Sequence, residues 1–319
     1  MAERNSAPAT ASEPSDDGVP LWRFLGPRYW STWVFVAWLR FAAALPWRTA
    51  IRLHRFLGKL ASPFMSRKRA VISRNLEICF PQLSESERAA LVARNVENIS
   101  LFMAEVGISW FGAPERYAHL FRIEGKEHLA AALARGRGVV LFSGHFTTLE
   151  ICVPTIKSLV PFYAFMFSAR RNGLLNEFQR RCRKRAAHVS VVAEDVRALL
   201  KLLQKNATVW YAPDQVRTDR GELLPFFGEP SMWSTATSRL ARISGAAIVP
   251  LSFYRLPDDS GYVLRFREPL PDFPSDDVRH DTSRLLAVLE EFVKESPDQY
   301  FWTHKRFRGR KGLPDAYRD

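Results

Sequence analysis

A histidine and a carboxylate that follow one short apolar run are the first residues that could do chemistry. His145 comes directly after the run RGVVLFSG (137–144), and Glu150 follows five residues later, in the first turn of the next predicted helix. The helix dipole favours a negative charge there. An ionised carboxylate can accept the imidazole N–H, fix the tautomer and leave the other ring nitrogen as a base. The pair therefore predicts a general base for a substrate hydroxyl, whereas the plainer interpretation is a helix-capping histidine and a solvated acid.

A second polar pair follows another apolar run. Asp214 and Gln215 come directly after ATVWYAP (207–213). Side chains at such a position can bind a substrate or tie down their own loop, and loop-tying is the commoner role. The sequence places this pair at a strand end, as it does the first one, without deciding its role.

Two adjacent arginines begin the most basic stretch of the chain. Arg170 and Arg171 follow the apolar segment FYAFMF (162–167) and precede a run of further arginines and lysines. The planar guanidinium fork suits a phosphate or a carboxylate, although charge runs are more often solvated faces. A metal site is not predicted, because no third histidine or cysteine stands near His145 and the spacing differs from helical zinc motifs. We expect no cofactor.

The segments that must position these side chains alternate between strand and helix. Short apolar runs at 137–144, 189–193 and 207–213 are typical of buried parallel strands, and 195–205 is a predicted helix. The runs 246–256 and 261–270 predict a hairpin, 281–295 a helix, and Ser84 with Glu87 a capping box that begins a long helix. The pattern predicts an α/β fold with a mainly parallel or mixed sheet flanked by helices. Reactive groups in such a sheet gather at the carboxyl ends of the strands.

The N-terminal region differs from the rest of the chain. We expect residues 1–20 to be a disordered tail, because they lack the apolar core of a signal peptide. Residues 29–45 are apolar and rich in tryptophan but contain Arg40, and 48–60 predicts a basic amphipathic helix. We interpret 21–60 as a membrane anchor with an interfacial helix, and 61–319 as the catalytic domain on the cytoplasmic side. Two buried helices of a soluble protein are the alternative.

Composition limits the class of protein and partner. The chain has 319 residues, a formal charge of +13 and 47% hydrophobic residues, which excludes disorder as the main state. Three widely spaced cysteines argue against a disulfide scaffold, a zinc ribbon or an iron–sulfur site. The basic balance suits nucleic acid, an acidic protein or membrane headgroups. A non-catalytic membrane- or nucleic-acid-binding protein therefore stays a candidate, since aromatic and basic residues interleave at 300–310.

Several motifs, in this order along the chain, resemble those of the bacterial lipid A biosynthesis acyltransferases, the late lauroyl and myristoyl transferases of the lysophospholipid acyltransferase-like superfamily. The similar segments are Gly26–Trp30, Arg74–Leu76, Gly144–Glu150, Pro213–Gln215, Phe226–Gly228 with Arg239–Ala241, and Gln299–Phe307. One block departs from the family pattern: Phe167, Ser168 and Ala169 stand where Tyr-Arg-Pro is usual.

The resemblance implies an acyltransferase at the bacterial cell inner membrane. It implies transfer of a fatty acyl chain from acyl-carrier protein to a hydroxyl of an anionic, Kdo-modified lipid A precursor. His145 would act as general base assisted by Glu150, with no covalent intermediate and no nucleic acid as partner. Substrate binding would fall to a second set of residues, namely Arg170, Arg171, Asp214, Gln215 and Arg239. The alternative acceptor is another membrane lipid: a glycerophospholipid, an ornithine lipid or a glycolipid.

Overall fold

A seven-stranded sheet carries the strands that the apolar runs predict. The computed structural model describes residues 18–167, 172–192, 195–215, 221–310 and 312–317, so most of the expected N-terminal tail lies outside the described residues. The strands are β1 (Phe121–Glu124), β2 (Val139–Phe142), β3 (Tyr163–Phe167), β4 (Val189–Val192), β5 (Thr208–Tyr211), β6 (Glu222–Phe226), β7 (Glu229–Trp233), β8 (Ala247–Arg255) and β9 (Tyr262–Phe266).

The strand order of the large sheet is β1-β9-β8-β2-β5-β3-β4. All neighbours in it run parallel except β8 and β9, which form the predicted antiparallel hairpin. Strands β6 and β7 form a separate antiparallel pair. The central strand β2 is fully buried, which explains its unbroken apolar run. The predicted mainly parallel or mixed sheet is confirmed. Strands β1, β6 and β7 were not predicted because they are short, half-exposed or contain proline, and the apolar segment that forms β3 was not predicted to be a strand.

Ten α-helices in the described residues surround the sheet. They are α1 (Trp30–Ala44), α2 (Trp47–Ala61), α3 (Ser66–Cys79), α4 (Glu85–Phe111), α5 (Lys126–Ala134), α6 (Leu149–Leu159), α7 (Gly173–Ala186), α8 (Val196–Gln204), α9 (Ala236–Ser244) and α10 (Val278–Glu295). The predicted capping box at the start of α4 is confirmed, because Ser84 and Glu87 satisfy each other's backbone N–H groups. Helix α10 begins three residues earlier than predicted, since the Asp277 carboxylate accepts the N–H groups of Arg279 and His280.

The two N-terminal helices pack against the long helix α4. Leu39 of α1 and Ile51 of α2 are buried. Gly107 of α4 permits a close approach, because a Cβ at that position would lie 2.4 Å from the carbonyl oxygen of Leu39. Among the residues that the structure describes, no helix combines the length and the apolar character needed to cross a bilayer. The division into an anchor at 21–60 and a catalytic domain at 61–319 stays a prediction.

Candidate active site

The histidine and the aspartate of the two motifs meet at the carboxyl edge of the sheet. Strands β2 and β5 are parallel neighbours, and their last residues, Phe142 and Tyr211, stand opposite each other. The next residue, Ser143, donates its N–H to the carbonyl of Tyr211 at 3.1 Å. His145 and Asp214 both lie three residues beyond the end of their strand. The register of two adjacent strands therefore brings together side chains that are 69 residues apart.

The imidazole of His145 is held by the carboxylate of Asp214. The distance from Nδ1 to Oδ1 is 2.5 Å, and the backbone N–H of His145 donates to Oδ2 at 2.9 Å. An ionised carboxylate only accepts, so Nδ1 carries a proton, and in the neutral imidazole the lone pair is then on Nε2. The His145 side chain is 24% exposed, whereas that of Asp214 is 2% exposed. The site thus presents a reachable imidazole backed by a buried carboxylate, the arrangement of a general base.

The carboxylate of Asp214 stays ionised although it is buried. Burial alone raises its pKa, but the imidazole of His145, the hydrogen bonds from that residue and the charge of Arg306 lower it to about 2. Tyr300 also donates its hydroxyl to Oδ2 at 3.0 Å. The guanidinium of Arg306 donates to the Asp214 carbonyl and, at 2.5 Å, to the carbonyl of Met232. The loop that carries Asp214 is therefore fixed at both its main chain and its side chain.

A C-terminal segment, residues 299–306, joins the two loops. The N–H of Thr147 donates to the carbonyl of Gln299 at 2.8 Å, and that of Phe301 donates to the carbonyl of His145 at 3.0 Å. These bonds form a short antiparallel bridge between Phe146 and Tyr300. The family-like signature at 299–307 thus contributes directly to the architecture of the site.

Glu150 occupies a different position from the expected one. Its carboxylate accepts a hydrogen bond from Nε1 of Trp110 at 3.3 Å. Among the residues that the structure describes, the hydrogen-bonding partner of the His145 ring is Asp214 and not Glu150. The expectation that Glu150 orients the imidazole is therefore corrected: the residue nearer in sequence lies on helix α6, and the parallel strand register brings in the distant one. Glu150 remains half-buried in the first turn of α6.

The other predicted substrate-binding residues lie around this pair or outside the described part of the chain. Gln215 directly follows Asp214 and is exposed, and Arg239 is exposed near the start of α9. Within the described residues, neither is hydrogen-bonded to His145 or Asp214. Arg170 and Arg171 lie outside the described residues.

Sequence reasoning missed the aromatic and cationic support of the site. The His145 ring contacts Trp210 edge-on, with centroids 5.5 Å apart, and Trp210 stacks on Phe165. Tyr300 and Arg306 supply the contacts to Asp214 described above. The signal that could have found these two residues is the polar and cationic side chains inside the aromatic segment YFWTHKRF (300–307).

The three cysteines are free and buried. Burial raises the pKa of each thiol, for Cys182 to about 12. Because the thiolate is the reactive form, none of them is suited to be a nucleophile.

Comparison with known proteins places these features in a family. The model of the bacterial lipid A biosynthesis acyltransferases matches residues 20–309. The chain is 36% identical to the lipid A biosynthesis lauroyltransferase of Escherichia coli (strain K12), over 92% of this chain and 96% of that protein. It is 32% identical to the lipid A biosynthesis palmitoleoyltransferase of the same organism, over 90% and 94%. A crystal structure of the 1-acyl-sn-glycerophosphate acyltransferase from Thermotoga maritima aligns with a TM-score of 0.38 and 14% identity, over 78% of this chain and 99% of that one.

Proposed function

Because this chain belongs to the bacterial lipid A biosynthesis acyltransferases and is an acyltransferase enzyme, we propose that it transfers a fatty acyl chain from acyl-carrier protein to a hydroxyl of a Kdo-modified lipid A precursor of the lipid IVA type. The observation that carries the proposal is the 2.5 Å contact between His145 Nδ1 and Asp214 Oδ1. It sets the imidazole in the tautomer that a base for a hydroxyl requires.

The reaction needs one proton acceptor and no covalent enzyme intermediate. Nε2 of His145 takes the proton of the acceptor hydroxyl while the hydroxyl oxygen forms a bond to the carbonyl carbon of the acyl thioester. The tetrahedral intermediate then collapses, the carbon–sulfur bond breaks, and the thiolate of the carrier takes the proton back from the imidazolium. Asp214 stabilises the imidazolium in between. A thioester is already an activated acyl group, which is why a base suffices.

Two backbone N–H groups are suited to stabilise the oxyanion. In the loop from His145 to Leu149, the N–H groups of residues 145, 147 and 149 already have backbone or carboxylate acceptors. Those of Phe146 and Thr148 have none among the described residues. Preorganised N–H donors next to the base are the usual stabilisers of a tetrahedral intermediate. We assign this role to Phe146 and Thr148.

We propose that Glu150 acts at the same site without holding the imidazole. It is half-buried at the start of α6, and its one described hydrogen bond, from Trp110, leaves acceptor capacity on the carboxylate. It is therefore suited to accept a hydrogen bond from the acceptor lipid. Glu150→Ala should lower turnover strongly, and the residual activity should keep the acidic limb of the wild-type pH–rate profile, whereas Asp214→Asn should disturb that limb. If the acidic limb moved equally in Glu150→Ala and Asp214→Asn, Glu150 would also orient the imidazole, and this proposal would be wrong.

The basic surface suits both substrates in this proposal. The acceptor carries phosphates and carboxylates, acyl-carrier protein is acidic, and the chain has a formal charge of +13. We assign contacts with the anionic groups of the substrates to Arg170, Arg171 and Arg239, and contacts with the acceptor to Gln215. Charge complementarity of this kind acts mainly on the rate of association and is sensitive to salt.

We propose that the enzyme acts at the cytoplasmic face of the inner membrane and contacts lipid through its N-terminal helices. Trp30, Val34 and Phe41 lie on one face of α1 and are 62%, 71% and 50% exposed. In the described residues, nine of the twelve exposed large hydrophobic side chains lie between Val19 and Phe64. The sequence from residue 18 to residue 76 contains no acidic residue. An apolar face with a cationic surround suits an anionic lipid surface.

Flotation with vesicles tests the membrane contact. The double change Val34→Asp and Phe41→Asp should abolish binding to vesicles that contain anionic phospholipid, because both side chains are exposed and their replacement leaves the core intact. Val196→Asp, at an exposed apolar residue outside the N-terminal region, is the matched control and should bind normally. Equal binding by all three proteins would contradict this contact.

Mass spectrometry of the product tests the function itself. Purified protein, a defined acyl-carrier-protein thioester and the tetra-acylated Kdo acceptor should give a product heavier by one acyl chain. A glycerophospholipid, an ornithine lipid and a glycolipid offered in parallel should stay unmodified. Acylation of one of these lipids, with the Kdo acceptor unchanged, would identify a different acceptor and overturn the proposal.

A further inference from the structure

Tyr300 contacts the pair of His145 and Asp214 but lies on neither of the two loops that carry them. It belongs to the C-terminal segment and is 3% exposed. Its hydroxyl donates to Oδ2 of Asp214 at 3.0 Å, the same oxygen that accepts the backbone N–H of His145 at 2.9 Å. Oδ1 is left for the imidazole, 2.5 Å away. Two donors on one carboxylate oxygen fix the rotation of the carboxylate and direct the other oxygen to Nδ1.

The ring of Tyr300 is held independently of its hydroxyl. It packs against Phe146 and Trp302, with ring centroids 5.4 Å and 4.8 Å apart. Gly144 leaves room for it, since a Cβ there would lie 3.2 Å from the ring edge of Tyr300. The carbonyl of Tyr300 accepts the side-chain amide of Asn95 at 2.8 Å. Removal of the hydroxyl alone should therefore leave the segment in place.

We propose that Tyr300 is a positioning residue of the acyl transfer, which fixes the carboxylate of Asp214 and moderates its pull on the imidazole proton of His145. The proposal rests on the function proposed above, and the tyrosine itself touches neither substrate. A hydrogen bond to Oδ2 withdraws charge from the carboxylate, so that less negative charge faces Nδ1. Loss of the hydroxyl should make the protonated imidazole more favourable and the carboxylate less well oriented.

The phenol remains a donor at every pH at which the enzyme could act. Burial raises the pKa of Tyr300 well above its ordinary value, and the charge of Asp214 raises it further. The other groups that face this hydroxyl and carboxylate are His145, the buried thiol of Cys79 on α3, Arg306 on the C-terminal segment, and His304, whose pKa is lowered by burial and by Arg306. The hydrogen bond is therefore a permanent feature, and changes in pH act on the imidazole.

Tyr300→Phe tests the proposal through a pH profile as well as a rate. We expect kcat to fall about tenfold with KM within about twofold, because a hydrogen bond to a buried charge is lost while the substrate contacts remain. The acidic limb of kcat/KM should move to higher pH by about half a unit. Tyr262→Phe is the matched control: its buried hydroxyl donates to the Glu105 carboxylate at 2.8 Å, away from the site. That variant should lose stability and keep the wild-type limb.

A measurement without turnover separates this inference from the proposed function. NMR titration of His145 in protein with 15N-labelled histidine, assigned by the loss of its signal in His145→Ala, should show the same upward shift in Tyr300→Phe. Should this variant not fold, 3,5-difluorotyrosine at position 300 retains the ring and makes the hydroxyl a stronger donor, so the midpoint should move to lower pH.

Unchanged midpoints and an unchanged kcat in Tyr300→Phe would overturn the positioning role. If the wild-type enzyme transfers no acyl group, the proposed function fails, whereas the NMR result still decides the role of Tyr300.

Discussion

Two buried carboxylates of this protein each contact a nitrogen donor and a tyrosine hydroxyl, but in different surroundings. Asp214 is paired with His145 and accepts the hydroxyl of Tyr300. Glu105 on α4 is paired with Arg255 on β8, 2.7 Å away, and accepts the hydroxyl of Tyr262. Both sites therefore combine an acid, a nitrogen donor of a histidine or arginine side chain, and a phenol.

The two sites differ in whether the partner of the carboxylate can release a proton and whether a substrate can reach that partner. The His145 side chain is 24% exposed and carries an imidazole, which can accept and release a proton, whereas the side chain of Arg255 is 2% exposed and carries a guanidinium, which stays protonated. Burial opposes the charge of Arg255, but Glu105 more than compensates and raises the pKa of the guanidinium. The second site holds α4 against the sheet and moves no proton. Burial of a carboxylate therefore does not identify an active site, and a titratable, reachable partner does.

The largest effect should follow loss of the titratable partner. We expect His145→Ala to lower acyl transfer by about 10²–10⁴-fold, the range of general-base assistance, with little change in melting temperature. His119→Ala, at an exposed histidine in another part of the molecule, is the control for loss of an imidazole. If folded His145→Ala protein transferred acyl groups at the wild-type rate, the pair of His145 and Asp214 would not be the catalytic one.

A substitution at the second site, Glu105 with Arg255, should lower the stability of the protein and leave its catalytic activity unchanged. Glu105→Gln leaves the buried guanidinium of Arg255 without a full counter-charge and should lower the free energy of unfolding by about 3–5 kcal/mol. Glu97→Gln removes longer, partly exposed pairs with Arg55 and Lys59 and should change the free energy of unfolding by less than about 1 kcal/mol. Urea unfolding measures both. A shifted pH–rate profile in folded Glu105→Gln would contradict the division of roles between the two sites.

A smaller effect should appear in the pH dependence of stability, to which Asp214 contributes. The pKa of Asp214 is about 2 in the folded protein, compared with about 3.9 in the unfolded chain. A lowered folded-state pKa stabilises the protein above the unfolded-state value and is lost as the pH falls through the folded-state value. The contribution is about 2–3 kcal/mol, of which about half should be lost by pH 3.

Urea unfolding between pH 5 and pH 3 compares wild type with Asp214→Asn. The variant should lose less stability over this interval, because its side chain does not titrate. Parallel pH dependence in the two proteins would contradict the ionised, paired state of Asp214.

The elements of the fold followed from local patterns. The apolar run at 137–144 predicted β2 because a strand covered on both faces needs apolar side chains throughout. The capping box at Ser84 and the hairpin of β8 and β9 could also be predicted from the sequence, because in both the interacting residues are close in sequence. Strands β1, β3, β6 and β7 were not predicted from the sequence, since short or proline-containing strands depend on their neighbours.

The sequence by itself determined that His145 follows a buried strand and that Asp214 follows another, so both had to lie at one edge of the sheet. It also determined the order of motifs by which the family is recognised. Only the tertiary structure decided which carboxylate holds the imidazole. Glu150 is five residues from His145 and was the natural expectation, but α6 takes it to Trp110, while the parallel register of β2 and β5 brings in Asp214. The physical reason is that a hydrogen bond depends on distances of a few tenths of an ångström, which the packing of strands fixes and sequence spacing does not.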